Sequence, residues 1–172
     1  MNYLKNIAPY QLSTVDTGVA DKQFAVGDVL EMNGKIFTRA RVLPGTGGTT
    51  GSAFAAVFPS TTGSYTRGDF SFDPSDATLY MQSAFGLAQG SMMTAVTHFM
   101  WVQTKGQGPY LVSSTGANIG EPLFAASTDG GLLAKSLIST TINIGYEGAY
   151  ALEAFGMSTG VTKDIMLLGK YQ

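Results

Sequence analysis

Short apolar runs separated by turn-forming residues recur along most of the chain, and inside the runs the apolar positions alternate with polar ones. The clearest case is Phe24 to Leu43. The run F-A-V-G-D-V-L-E-M leads into Asn33-Gly34 and out through K-I-F-T-R-A-R-V-L. Asn-Gly supplies the two positive φ angles of a type I′ turn, whose twist matches that of paired strands, so the stretch predicts a β-hairpin. After the turn, Ile36, Thr38, Ala40 and Val42 share one face, and Lys35, Phe37, Arg39, Arg41 and Leu43 share the other. That alternation predicts a half-buried strand with a solvated basic face.

The last third, Gly106 to Tyr171, has the same punctuation. Ile119-Gly120-Glu121-Pro122-Leu123 followed by Asp129-Gly130-Gly131-Leu132 echoes Val26-Gly27-Asp28-Val29-Leu30 followed by Asn33-Gly34. Two similar hairpins do not make a repeat architecture, but they point to one building device of turn, strand, turn, strand. Strands are also expected around Asn143 to Phe155 and over Val161 to Leu168. Ser91 to Lys105, rich in Thr, Val and aromatic residues, is expected to be another.

Between these regions lies a stretch of different character. Pro44 to Gly68 is rich in Gly, Thr and Ser and is expected to be a flexible loop, a short apolar strand over Ala53 to Phe58, and a second loop. Its P-G-T-G-G-T-T-G segment lacks the Gly-Lys-Ser/Thr of a phosphate loop and reads as a plain loop. Asp73 to Gln89 is the one expected helix. Asp73 stands at the N-cap and Pro74 at the first helical position, with Ala77, Tyr80, Met81, Ala84, Phe85 and Ala88 at helical spacing. The fold expected is therefore mainly β: a small antiparallel β-barrel or β-sandwich with a Gly/Thr-rich insertion, one short helix and an N-terminal arm. The arm is placed at residues 1–21, and a single β domain at 22–172 with the insertion at about 44–90.

Composition narrows the function more by exclusion than by motif. The 172 residues contain no cysteine, which removes disulfides, thiolate metal sites and a Cys nucleophile. Formal net charge is −2 and there is no basic run, so phosphate-neutralising contact with nucleic acid is not expected. No apolar run approaches the length of a membrane span. Charged residues are only 13% of the chain, about half the usual share, so the surface is expected to be covered by neutral groups. Such a surface suits contact with other protein, because few charges have to be desolvated.

Candidate chemistry is sparse. His98 is the only histidine, so a multi-His metal site is excluded, and no Gly-x-Ser-x-Gly elbow accompanies it. It reads as a hydrogen-bonded, partly buried strand residue. Glu147 and Glu153 are the only nearby carboxylate pair that suggests glycoside hydrolysis, and Arg39 with Arg41 the only pair that suggests an anion site. No catalytic, cofactor-binding or metal-binding residue is assigned, and neither an enzyme activity nor a cofactor is expected.

One family resemblance adds to this. The ordered series Pro109 to Val112, Asn118 to Ala126, Asp129 to Leu133, Ile144 to Ala154 and Asp164 to Leu168 resembles the small head decoration (cement) proteins of tailed phages. Those carry a Gly-Asp/Glu-x-Leu strand, an Asp-Gly-x-Leu turn, an Ile-Gly-x-Ala-Leu-Glu-Ala strand and a terminal apolar strand in the same order. The Val26-to-Phe37 hairpin is similar to the first half of that pattern, and Pro44 to Gly90 lies outside it. The resemblance implies a β-barrel or sandwich-like domain, made in the host cytoplasm. It would sit as a homo-trimer on the outer capsid surface of the virion, bound to the major capsid protein, with no nucleic-acid or membrane partner. Residues 1–21 and 44–68 are then expected to supply capsid contacts, and removal of 1–21 to leave the fold intact. The alternative is a carbohydrate- or receptor-binding β-module of a phage tail or surface structure, with Tyr65, Phe70, Phe72 and Tyr80 as exposed aromatics.

Overall fold

The structure, a computed structural model, describes residues 3–4, 12–13, 15–17, 24–44, 51–60, 68–73, 84–112, 116–125, 132–134, 147–156 and 160–169. Among the described residues twelve strands follow one another. They are β1 (Tyr3–Leu4), β2 (Asp16–Thr17), β3 (Val29–Met32), β4 (Lys35–Leu43), β5 (Ala56–Pro59) and β6 (Asp69–Ser71), then β7 (Gly86–Ala88), β8 (His98–Leu111), β9 (Pro122–Ala125), β10 (Leu132–Ala134), β11 (Ala149–Ala151) and β12 (Thr162–Leu168). The protein is mainly β, and no α-helix occurs among the described residues.

The hairpin forms as its turn chemistry predicts. Met32 pairs with Lys35 across Asn33 and Gly34, whose φ angles are 52° and 74°. From there β4 runs on as one wall of a closed five-stranded barrel. Its neighbours are β6 on one side, parallel, and β8 on the other, antiparallel; β5 and β7 complete the circuit from β6 back to β8. Closure leaves no unpaired edge within the barrel, which is how a small β protein avoids edge-to-edge association.

Alternation along these strands separates two environments. Ala40 and Val42 of β4, Val57 of β5, Phe70 of β6, Ala88 of β7 and Met100 and Val102 of β8 pack together with Ala55, Phe72 and Met92 as the barrel interior. The opposite side chains are not solvated. Phe37 and Trp101 are covered by Leu12, Leu30, Phe24 and Met32, and Arg39 is only 1% exposed. The expected face assignment on β4 is right, but its basic face is roofed by β3 and the N-terminal residues rather than facing water.

A second layer lies against the outer side of β5 and β7. There β8 continues past the barrel and pairs with β12, which pairs with β11, followed by β9 and β10. Ala56, Phe58 and Leu87 from the barrel wall meet Tyr110, Leu123, Leu132, Ala149, Ala151, Ile165 and Leu167. The Tyr110 hydroxyl accepts the Leu132 backbone N–H at 2.8 Å, so a buried phenol ties β8 to β10 without an unsatisfied polar group.

The strand β8 thus serves both layers, and its bend is built from named residues. The β4–β8 register shifts between Ile36 and Phe37. Just beyond, Gly106 adopts φ 89°, and a side chain there would sit 2.8 Å from the Gly34 carbonyl oxygen. The buried Gln103 amide spans the bend, donating to the carbonyls of Lys105 (3.2 Å), Gly106 (3.2 Å) and Gln107 (2.9 Å). A bulge satisfied by a side-chain amide lets one strand change direction without orphaned backbone groups.

Three expectations need correction. The helix expected over Asp73 to Gln89 is not present at its C-terminal end: Gly86–Ala88 is β7, buried on both faces between β5 and β8. Long-range pairing outweighs the local helical spacing there; residues 74–83 lie outside the described residues. The strand expected from Ser91 begins only at His98. Finally, the 44–90 stretch supplies three of the five barrel strands, and its Phe58, Phe70, Phe72 and Leu87 are fully buried. The strand expected over Ala53 to Phe58 is present as β5, whereas β6 and β7, three residues each, have no strand pattern of their own in this Gly/Thr/Ser-rich stretch.

The N-terminal residues are similarly engaged. Tyr3 and Leu4 pair in parallel with Val29 and Leu30, and Asp16 and Thr17 pair with Phe99 and His98. Leu12 is buried on the Trp101 side of the barrel wall.

Candidate functional surface

The charged residues named by the sequence are occupied in holding the fold. Arg39 pairs with Asp16 across β8 and lies 6.0 Å from the Trp101 ring centroid. Arg41 donates to both oxygens of the buried Asp69, at 2.8 and 2.6 Å. Arg41 and Asp69 are Cα partners in the parallel β4–β6 ladder, so the strand register itself aligns the two-pronged contact. The hydrogen bond to Asp69 raises the pKa of Arg41. The two arginines are therefore not a vacant anion site; each already faces a carboxylate.

Several other carboxylates have local work. Asp28 accepts the Ala25 N–H at 2.8 Å and Glu121 accepts the Asn118 N–H at 2.9 Å, each closing a turn. Glu153 accepts the Asp164 N–H at 2.9 Å and pairs with Lys163 at 3.0 Å. The backbone donor, then the lysine, hold its pKa below the ordinary 4.5. A carboxyl held ionised in this way is poorly suited to donate a proton near neutrality, as a glycosidase acid must. Glu147 also interacts within the protein. His98 is 4% exposed with Nδ1 2.7 Å from the Val96 carbonyl oxygen, the hydrogen-bonded strand residue expected. Among the described residues no group of three metal-ligating side chains occurs.

What the described surface offers instead is apolar. The β7–β8 connection carries Met93 and Val96 at 78% and 44% exposure, with Thr94 and Ala95 exposed between them. Residues 90–97 contain no ionisable side chain. The loop is held from below. Met92 is fully buried and exchanges backbone bonds with Gly51 (2.8 and 3.1 Å), and Ser91 Oγ accepts the Ala53 N–H at 2.9 Å. The Val96 N–H donates to the Thr94 carbonyl at 2.8 Å. The outcome is an uncharged apolar knuckle on a fixed base.

A second apolar group stands on the other layer. Ile119 is 72% exposed at the tip of the Asn118–Glu121 turn. The adjacent Gly120 N–H donates to the Ala151 carbonyl, next to the exposed Leu152. Val161, also exposed, stands just before β12.

Sequence reading missed these positions. Met93 and Val96 were absorbed into an expected strand, and Ile119 into a hairpin. The available signal was the run Met92-Met93-Thr94-Ala95-Val96, which breaks strict alternation with two consecutive methionines. Of the aromatics named for carbohydrate binding, Phe70 and Phe72 are fully buried, and Tyr65 and Tyr80 lie outside the described residues. The Gly/Thr loop at 45–50 and most of 1–21 also lie outside them.

The chain matches no protein-family model, no curated protein and no solved structure.

Proposed function

We propose that this protein is a structural virion protein that binds the outer surface of a phage capsid and cements neighbouring capsid subunits, acting as a homo-trimer. The observation that carries the reading is the division of labour just described. Eight described charged side chains, those of Asp16, Asp28, Arg39, Arg41, Asp69, Glu121, Glu153 and Lys163, are committed to internal pairs and turns, while the exposed turns are tipped by Met93, Val96 and Ile119. A neutral, apolar-tipped surface loses little on desolvation and gains about 1–2 kcal/mol for each such side chain buried in a partner. The sequence resemblance to phage decoration proteins supplies the kind of partner.

Cementing then follows from mass action. A protein that binds the assembled shell and not its separated parts stabilises the shell by about 2.7 kcal/mol per site at a hundredfold excess over Kd. Symmetry repeats that gain at every site, so no single contact has to be strong.

The experiment is co-sedimentation of the purified chain with undecorated phage heads, alongside the double variant Met93→Asp, Val96→Asp. Wild type is expected to pellet with the heads, and the variant to stay in the supernatant while keeping its far-UV spectrum. Absence of wild-type binding to any undecorated head would overturn the reading.

A further inference from the structure

We propose that Met93 is an oxidation site of the folded protein. A peroxide converts its thioether to the sulfoxide while Met92 beside it stays reduced, and the change weakens the knuckle's contact with the capsid without unfolding the barrel. The weakened contact rests on the shell-binding reading; the oxidation does not.

The described methionines stand in very different surroundings. Met93 is 78% exposed on the knuckle, whereas Met92 and Met100 are at 0% and belong to the packed barrel interior. Met32 is partly buried against the Trp101 cluster, and Met166 is partly buried on β12. A thioether reacts only where the oxidant reaches the sulfur, and a sulfur in a close-packed interior is reached only when the structure opens. The step needs no group from the protein. A sulfur lone pair attacks one oxygen of hydrogen peroxide and the O–O bond breaks. The sulfur keeps that oxygen, whose proton passes to the departing one, which leaves as water. Sulfur loses two electrons and the peroxide takes them up.

The product changes the tip and not its support. Met sulfoxide is polar where Met is apolar. The base of the knuckle is held by other groups: Met92 and Gly51 exchange backbone bonds, Ser91 Oγ accepts the Ala53 N–H, and His98 Nδ1 lies 2.7 Å from the Val96 carbonyl oxygen. None of these contacts uses the Met93 side chain, so the loop keeps its shape. Burial of one apolar tip in a partner is worth enough that its conversion weakens binding by about tenfold.

Dilute hydrogen peroxide applied to the purified wild-type chain, with sulfoxide at each methionine followed by tandem mass spectrometry, tests the site. Met93 is expected to oxidise at least about tenfold faster than Met92 and Met100, with the far-UV spectrum kept, and the neighbouring pair to react alike in urea. Equal native rates at Met92 and Met93 overturn the site. A half-oxidised sample is then sedimented with undecorated phage heads. Met93 sulfoxide is expected to be enriched severalfold in the supernatant over the pellet, and methionine sulfoxide reductases to return that protein to the pellet. Equal Met93 sulfoxide in both fractions overturns the weakened contact. An empty pellet with unoxidised protein overturns the shell-binding reading and the weakened contact together, while the oxidation rates still decide the site.

Discussion

Gly106 carries more of the architecture than its size suggests. Its φ of 89° disfavours any L side chain, and a Cβ there would stand 2.8 Å from a backbone oxygen rather than a movable side chain. Gly106→Ala is expected to cost about 2–3 kcal/mol, read as a lower urea midpoint with the slope unchanged. Glu153 makes the pH-dependent prediction at this scale. Its folded pKa lies below its unfolded value, so its contribution is present above about 4.5 and is lost as pH falls through the folded pKa. In Glu153→Gln that increment is absent at all pH values. The stability gap between wild type and variant, from urea titrations at pH 7 and pH 3, should therefore narrow at the acidic end.

At the scale of elements, local chemistry was legible wherever it decided the outcome. Asn33-Gly34 forces its turn, and alternation on β4 assigns Phe37 and Arg39 to one face and Ala40 and Val42 to the other, as found. What faces those side chains comes from elsewhere in the chain. Arg39 is buried because Asp16 and Leu12 arrive from the N-terminal segment, and no pattern within β4 encodes that arrival. Gly86–Ala88 failed for the same reason: three residues held by ladders on both sides need no strand signal of their own. The N-terminal segment is where the account departs most from the sequence reading. Deleting residues 1–17 removes Leu12 from the Trp101 cluster and the carboxylate that faces Arg39. The shortened chain is expected to be about 2–4 kcal/mol less stable, with red-shifted tryptophan emission, rather than to keep an unperturbed fold. An unchanged urea midpoint and emission would show that the segment is the dispensable arm its sequence suggested.

For the molecule as a whole, the expected mainly β architecture, a small β-barrel or sandwich, is the one that forms, but which strands close the barrel was not readable. Closure depends on β4 meeting both β6 and β8, a parallel and an antiparallel partner far apart in the chain. The candidate surface was legible only indirectly, through low charge; its apolar tips are visible once the knuckle and turns are placed. The central claim is that this barrel binds and reinforces an assembled shell. Scanning calorimetry of undecorated phage heads with and without saturating protein tests it most directly. The account predicts a disruption temperature that rises with protein concentration, and a much smaller rise with the Met93→Asp, Val96→Asp variant. A disruption temperature independent of the wild-type protein at all concentrations would contradict it.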